Sequence, residues 1–377
     1  MNEKIKLLIV VDTYYPKIDG TLKFVEEFVK RIGQDFEYTL LVPNFEKKKD
    51  TKNIKYVDVS TFIRSSGYSS IKLLSPKTWM KIKGAVKNSD IVFAQGPALL
   101  SAFAVFFAKR LKKKSVYYMH VDSWDFFKNF LTTPFVKFLY YILKPIINFS
   151  FNACTLILVP YHDLVDRLKE KRIKTPAKVV RLGIDIERFS PVLNKEKYKQ
   201  KAGIQGTKKV IGFVGRISNE KNIAILMAAF KKLPDQKNLH LLMVGDGNPR
   251  LVRDLKALEN CTVTGFVDNV EDYYKAMDIF VMPSLTETTS LATLEAMSTG
   301  LPVIATKVGF IKSYLIKDHN GIFFPRNSST MLSIKIEKLL GNPVVMEKLG
   351  KNARKTVAYS FSWDRTINKI KKVMFEL

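Results

Sequence analysis

Cysteine is almost absent: Cys154 and Cys261 are the only two in 377 residues, and they lie far apart. No disulfide framework is expected, and a reducing cytosol is the natural compartment. Histidine is nearly as scarce. His120, His162, His240 and His319 sit in separate segments without ligand spacing, so no metal site is expected even where His120 stands beside Asp122 and Asp125 in "YYMHVDSWDFF". There is no G-x-S-x-G, no Walker A sequence and no G-x-G-x-x-G after the first apolar run, which removes serine hydrolases, P-loop NTPases and ordinary dehydrogenases. Zinc-finger spacing, a recognisable helix-turn-helix and an RNP signature are also missing, so no nucleic acid partner is expected. Long apolar runs are wanting too. The most hydrophobic stretch, residues 126–160, is interrupted by Lys137, Lys144 and Pro145 and leaves no span of ~20 apolar residues. It reads as two buried or interfacial helices followed by a strand, with Phe, Tyr and Lys content that suits a membrane surface. The opening "MNEKIKLLIVVDTYYP" reads as a buried strand and not as a signal peptide, because its apolar run is short, Asp12 follows and no small-residue cleavage site is present.

Cations are what the chain has in excess. Lys and Arg number 62 against 35 Asp and Glu, a net charge of +27. Residues 51–150 hold 16 Lys/Arg and 4 Asp/Glu, so they carry +12 of that excess. A Lys-rich solvated surface accounts for such a bias, and so does contact with an anionic membrane leaflet.

Length and pattern together fit two domains of near-equal size. Apolar runs alternate with amphipathic helices through "KIKLLIVVD", "YTLLVP", "DIVFAQ", "KSVYYMH" and "CTLILVP", the rhythm of a parallel sheet with helices on both faces. A polar, Lys-rich break with Pro191 crosses residues 183–208, and a second series follows: "KKVIGFVGR", "HLLMVGDG", "CTVTGF", "IFVMPS", "LPVIAT" and "GIFFP". The expected division is a first domain over 1–190, a linker over 191–208, a second domain over 209–357 and a helix over 358–377 that crosses back to the first. In open α/β sheets ligands bind at the carboxyl ends of strands, and here the strands of the second series end in Gly, Pro, Ser or Asp, or in Thr306 for "LPVIAT". Two such sheets facing each other make a cleft.

The chemistry gathers in "TETTSLATLEAMSTGLPVIAT", residues 286–306. Ser290 is placed to cap a helix that ends at Gly300, and the amides of Ser290, Leu291 and Ala292 then offer free N–H groups and the positive dipole end to an anion. Glu287 lies just before this helix and Glu295 just inside it; carboxylates accept well from paired sugar hydroxyls and poorly contact phosphate. Two glutamates around one helix are more often a solvated face. The loop "FVGRISNEKN" adds Arg216 and Lys221 at another strand end, cations suited to a pyrophosphate, and "VGDG" marks a close backbone approach. In the first half, Gly20 opens a helix after "DTYYPKID", where close approach to a phosphate is possible.

Taken together, "GRISNEKN", "VGDGN", "TGFV", "RLGIDIERFSP" and "MPSLTETTSLATLEAMSTGLPVIAT" resemble the retaining glycosyltransferases of family 4, and the resemblance runs from "YYPKIDG" to "FSWD". Its most specific element is E-x7-E, Glu287 to Glu295. The resemblance implies an α/β GT-B fold, two Rossmann-like domains with parallel sheets facing a central cleft, the first binding acceptor and the second nucleotide sugar. It implies that Glu287 contacts the donor sugar, Glu295 the ribose, and Arg216 and Lys221 the diphosphate with amides near Ser290 and Leu291. Gly20 would let the first domain approach the phosphate, His120 would bond the transferred sugar, and Phe266 and Val267 would border the base. Catalytic roles accordingly fall to Glu287, His120, Arg216 and Lys221, with Thr288 and Thr289 completing the donor loop and no metal or cofactor beyond the donor. One departure stands out: many relatives carry E-G-F-G or E-G-x-G where this chain has Glu287-Thr288-Thr289-Ser290.

The expected activity is transfer of a hexose from a UDP- or GDP-type donor to a lipid or lipid-linked acceptor by a cytoplasmic protein peripheral to the inner face of the cell membrane, through basic residues in 51–150. Two alternatives stand beside it: a soluble transferase acting on a polysaccharide, glycan or small metabolite, and a non-catalytic protein that binds sugar nucleotides or nucleic acid.

Overall fold

The computed structural model describes residues 4–16, 20–65, 68–71, 75–96, 99–120, 124, 145 and 147–377, with side chains of 60–71 left aside. It divides into two compact units, Met1–Leu182 together with Thr366–Leu377, and Gly183–Arg365. Asp122, Asp125 and nearly all of 126–146 lie outside the described residues, as does the interfacial-helix expectation attached to them.

The first unit is built on an eight-stranded sheet. Its strands are β1 (Ile5–Val11), β2 (Phe36–Asn44), β3 (Ile54–Ser65), β4 (Tyr68–Ile71), β5 (Ile91–Gln95), β6 (Lys114–Tyr118), β7 (Leu156–Val159) and β8 (Ala177–Val179). They lie in the order β4-β3-β2-β1-β5-β6-β7-β8. All neighbours are parallel except β3 and β4, an antiparallel edge pair. β1, β5 and β6 carry the apolar runs Leu7–Val11, Ile91–Ala94 and Val116–Tyr118, as strands of a parallel sheet covered by helices do; Leu7 to Val11 are at most 1% exposed. On one face the helices Pro76–Lys87 and Leu99–Arg110 bring Ile82, Val86, Leu100 and Ala104 against Leu8, Val10 and Val92. Each such side chain contributes roughly 1.5–3 kcal/mol by leaving water.

The helix Trp363–Phe375 joins this unit from Thr366 onward. Thr366 Oγ1 donates to the Arg181 carbonyl at 2.9 Å, Lys371 Nζ to Asp35 at 3.0 Å, and the Phe36 and Phe375 rings lie 5.3 Å apart.

The second unit holds a six-stranded sheet of β9 (Lys209–Val214), β10 (Leu239–Val244), β11 (Cys261–Val263), β12 (Ile279–Met282), β13 (Val303–Thr306) and β14 (Ile322–Phe324). The order is β11-β10-β9-β12-β13-β14, parallel throughout. Strand order reverses at β9, with β10 on one side and β12 on the other. β9 and β12 pair only at Ile211–Ile279 and Gly212–Phe280, so they part before their carboxyl ends and open a crevice there. The stretch before β9 packs on this sheet through the helix Glu196–Lys201: Lys199 forms a buried ion pair with Asp278 at 2.8 Å, and Lys195 donates to the Met277 carbonyl at 2.7 Å.

Candidate donor site on the second sheet

The β9–β12 crevice is lined by three loops that hold one another. β9 ends at Val214, and the chain turns through Gly215 and Arg216 to Ile217, which bridges Gly247 in the loop after β10. A Cβ on Gly245 would lie 2.1 Å from the Gly215 carbonyl oxygen, and one on Gly247 2.1 Å from that of Ile217. The glycines of "VGDG" are therefore required by a neighbouring loop of the same unit. From the other side, Leu285 N–H donates to the Glu220 carbonyl at 2.8 Å, tying the loop after β12 to the loop after β9.

That tie brings Lys221 to Glu287. Lys221 Nζ donates to Glu287 Oε1 at 2.7 Å, and Ser284 Oγ donates to the same oxygen at 2.7 Å. The Glu287 side chain is 7% exposed and that of Lys221 20%, a desolvated pair in which losing one partner leaves the other charge uncompensated. Both bonds fall on Oε1, so Oε2 is the acceptor left over. The loop itself is clamped from behind. Phe310 N–H donates to the Thr288 carbonyl at 2.9 Å, and Tyr314 Oη to the Thr289 carbonyl at 2.9 Å. Gly309, in the left-handed region at φ +51°, packs so closely that a Cβ would sit 1.8 Å from the Glu287 carbonyl oxygen. Burial pushes the Tyr314 phenol far above its usual value, and the charge of Glu287 adds to the shift.

Ser290 opens the helix Leu291–Ser298 in the left-handed conformation, φ +56° and ψ 75°. This is the position at which E-G-x-G would carry its second glycine, so the departure in sequence does not change the handedness expected there. A non-glycine residue in that region carries roughly 1–3 kcal/mol of strain. The Ser290 side chain does not cap the helix; its hydroxyl bonds Thr293 Oγ1 at 2.8 Å instead. The amides of Leu291 and Ala292, which no intrahelical carbonyl can satisfy, are thus left without that cap, while Thr293 N–H donates to the Ser290 carbonyl at 3.1 Å. Thr289 Oγ1, in this loop, and Ser218 Oγ, in the loop after β9, are buried without a partner.

Glu295 lies one turn along the helix, where Tyr274 Oη donates to its Oε2 at 2.8 Å. Arg188 lies within its field: its guanidinium pairs with Glu271 at 2.7 Å, and Glu271 chiefly, with Glu295 adding, holds its pKa above the usual arginine value. Ser284, Tyr274 and Arg188 were not singled out in the sequence. Tyr274 sits on a short helix, Val270–Ala276, whose approach to residue 295 depends on sheet order and not on spacing. Arg216 is exposed and has no ion-pair partner among the described residues. Phe266 is 86% exposed at the end of β11, with Val267 partly covered beside it.

The remaining expected residues lie in the first unit. Gly20 is the first residue of the helix Gly20–Arg31. His120 follows β6 and is 8% exposed; its Nε2 bonds Gln95 Oε1 at 2.7 Å, and its ring stacks on Tyr118 at 4.6 Å with Phe24 edge-on at 4.9 Å. Burial lowers its pKa to about 3, so it is neutral at physiological pH. The Gln95 side chain, at the end of β5, has its Nε2 buried without a partner. Among the described residues no three His, Cys, Asp or Glu side chains assemble to hold a metal ion.

Two family profiles divide the chain between them. Residues 18–188 match Glycosyltransferase Family 4, and residues 194–356 match Glycosyl transferases group 1. The chain belongs to the group 1, family 4 glycosyltransferases and has the GT-B fold. It is 29% identical over 315 residues to the sulfoquinovosyl transferase SQD2 of Arabidopsis thaliana, covering 80% of this chain but only 59% of the plant protein's length. It is 25% identical over 360 residues to the alpha-monoglucosyldiacylglycerol synthase of Acholeplasma laidlawii, covering 91% of this chain and 90% of that protein. Among solved structures, Anabaena HepE in complex with UDP superposes with a TM-score of 0.79 at 18% identity over 100% of both chains.

Proposed function

We propose that this glycosyltransferase moves a hexose, with retention at the anomeric carbon and without a metal, from a UDP-type donor to a lipid or lipid-linked acceptor at a membrane surface. The observation that carries the reading is the Glu287 carboxylate held rigidly through Oε1 by Lys221 and Ser284, with Oε2 left for sugar hydroxyls. Glu295, oriented by Tyr274, takes the ribose hydroxyls, and the exposed ring of Phe266 borders the base. Arg216 and Lys221 bind the diphosphate together with the first-turn amides near Ser290 and Leu291.

Charge grows on the diphosphate as it leaves. Cations and amides fixed in place beforehand stabilise that charge without reorganising, and departure leaves an oxocarbenium-like sugar. The departing phosphate takes the proton of the acceptor hydroxyl, which attacks from the same face. Neutral His120 serves as a hydrogen-bonding group to the transferred sugar and not as a charged acid. Donor type is supported by HepE, whose structure holds UDP. Lipid as acceptor is supported by the Acholeplasma synthase, which is named for a glucosylated diacylglycerol, and by the cation surplus of residues 51–150. Among the described residues no helix is long and apolar enough to cross a membrane, so association is proposed as peripheral.

The test is a screen of radiolabelled sugar nucleotides with membrane extract, followed by organic extraction. We expect label from a UDP-hexose in the lipid phase; label only in water-soluble glycan would replace the acceptor reading with transfer to a soluble glycan.

A further inference from the structure

Across the carboxyl edge of the first sheet, three neighbouring strands set a carboxylate, an amide and an imidazole side by side. β5 pairs with β1 through Gln95 and Val11, and with β6 through Gln95 and Tyr118. Asp12 therefore follows β1 on one side of Gln95, and His120 lies two residues past Tyr118 on the other. Gln95 is 0% exposed and Asp12 4%. The carboxylate packs on the backbone just beyond Gln95: a Cβ on Gly96 would lie 2.9 Å from Asp12 Oδ2, and Ser101 N–H donates to Asp12 Oδ1 at 3.2 Å.

A buried imidazole that stays neutral carries one proton, and its hydrogen-bond partner decides which nitrogen holds it. The 2.7 Å bond joins His120 Nε2 to Gln95 Oε1, an acceptor that requires the proton on Nε2 and leaves Nδ1 with the bare lone pair. Gln95 Nε2 is buried without a partner, so no bond from that end dictates how the amide is set. The anion on the β1 side does: turning the amide over would take its carbonyl oxygen from the ring toward the side of the Asp12 carboxylate, where two negative ends repel. The ring is held as well, with Tyr118 stacked on it at 4.6 Å and Phe24 edge-on at 4.9 Å.

We infer that Gln95 is a positioning residue that holds His120 as its Nε2–H tautomer, so that Nδ1 accepts a hydrogen bond from a hydroxyl of the transferred sugar. The inference rests on the role proposed for His120 toward that sugar and deepens it. Gln95 acts through the polarity and orientation of the imidazole. An acceptor so placed matches a neutral sugar hydroxyl and repels an anionic substituent.

The experiment is nitrogen NMR of the full chain isotope-labelled at histidine, with the His120 signals assigned by their absence in His120→Gln, beside steady-state transfer kinetics. The natural chain is expected to show Nε2 protonated and Nδ1 bare at neutral pH. Gln95→Met, similar in length but without the acceptor, should give signals averaged between the two tautomers. Its kcat should fall about tenfold, the worth of one hydrogen bond, with the KM for donor changed by less than about twofold. Its affinity for UDP, which the second unit binds in the proposed function, should equal that of the natural chain. Gln95→Glu keeps an acceptor in the same place and should again show Nε2 protonated. A proton on Nδ1 in the natural chain, or an unchanged tautomer in Gln95→Met, would overturn the inference. So would equal losses of kcat and UDP affinity in Gln95→Met, the result of a purely structural role. Should Gln95→Met not fold, the spectrum of the natural chain still decides. The spectra are taken without substrate, so a failure of the transferase reading leaves them as expected and shows only as absent turnover.

Discussion

The two sheets are alike in plan and opposite in what stands at their carboxyl ends. At the end of β5 and β6, the first unit presents His120 stripped of charge by burial, packed between Tyr118 and Phe24 and bonded to the neutral amide of Gln95. At the end of β9 and β12, the second unit presents a carboxylate and an ammonium locked together at 7% and 20% exposure, with exposed Arg216 in the loop after β9. The same strand geometry therefore carries a neutral imidazole in one unit, with the carboxylate of Asp12 buried at the end of β1, and a paired carboxylate and ammonium in the other. That division suits a reaction whose donor is a polyanion, held where charge is fixed, and whose transferred sugar is neutral.

The sharpest way to break the comparison is at the charged end. Lys221→Ala strands the Glu287 carboxylate with Ser284 alone and is expected to cost about 3–5 kcal/mol of stability as well as donor turnover. Lys221→Ala with Glu287→Ala should recover most of that stability while staying inactive. Chemical denaturation of both singles and the double gives the coupling energy, and additive losses would mean the pair is not a unit. Gly309→Ala belongs with these, because its Cβ cannot be placed without moving the Glu287 backbone; we expect turnover to vanish with a smaller loss of stability.

The neutral end responds to acid. The folded-state pKa of His120, about 3, lies below the free value of 6.5, so the unfolded chain takes up a proton that the folded chain refuses. Its contribution is fully present above pH 6.5 and is lost as pH falls from there toward 3, at up to about 1.4 kcal/mol per pH unit. Melting temperatures of the natural chain and His120→Gln should converge over that window; parallel curves would mean that the imidazole does not stay buried and neutral.

Smaller effects sharpen the picture. Phe266→Ala removes an exposed ring and should leave stability within about 0.5 kcal/mol while raising the KM for donor severalfold. Ser290→Gly should change stability by about 1 kcal/mol or less and keep activity, whereas a β-branched residue there should cost more, since only the left-handed conformation fits.

The six strands of the second sheet were each visible as apolar runs ending in small or polar residues, and so were five strands of the first. β3, β4 and β8 escaped notice. β8 has only three residues, none fully buried, and the β3–β4 pair is an antiparallel edge with no apolar run. Glu287, Glu295, Arg216 and Lys221 stood out in the sequence as candidates because strand-end position and motif coincide. Their partners Ser284 and Tyr274 were not, for each reaches its glutamate through packing that spacing does not encode. The role of the "VGDG" glycines also needed the structure: the close approach they permit is to Gly215 and Ile217, within the protein.

The central claim is that Glu295 serves the nucleotide and Glu287 the sugar, and calorimetric titration of UDP tests it most directly. We expect Glu295→Ala to weaken UDP binding about tenfold or more, and Glu287→Ala to leave it unchanged or tighter, because Lys221 is then freed for the diphosphate. UDP binding that is lost in Glu287→Ala and kept in Glu295→Ala would contradict that assignment.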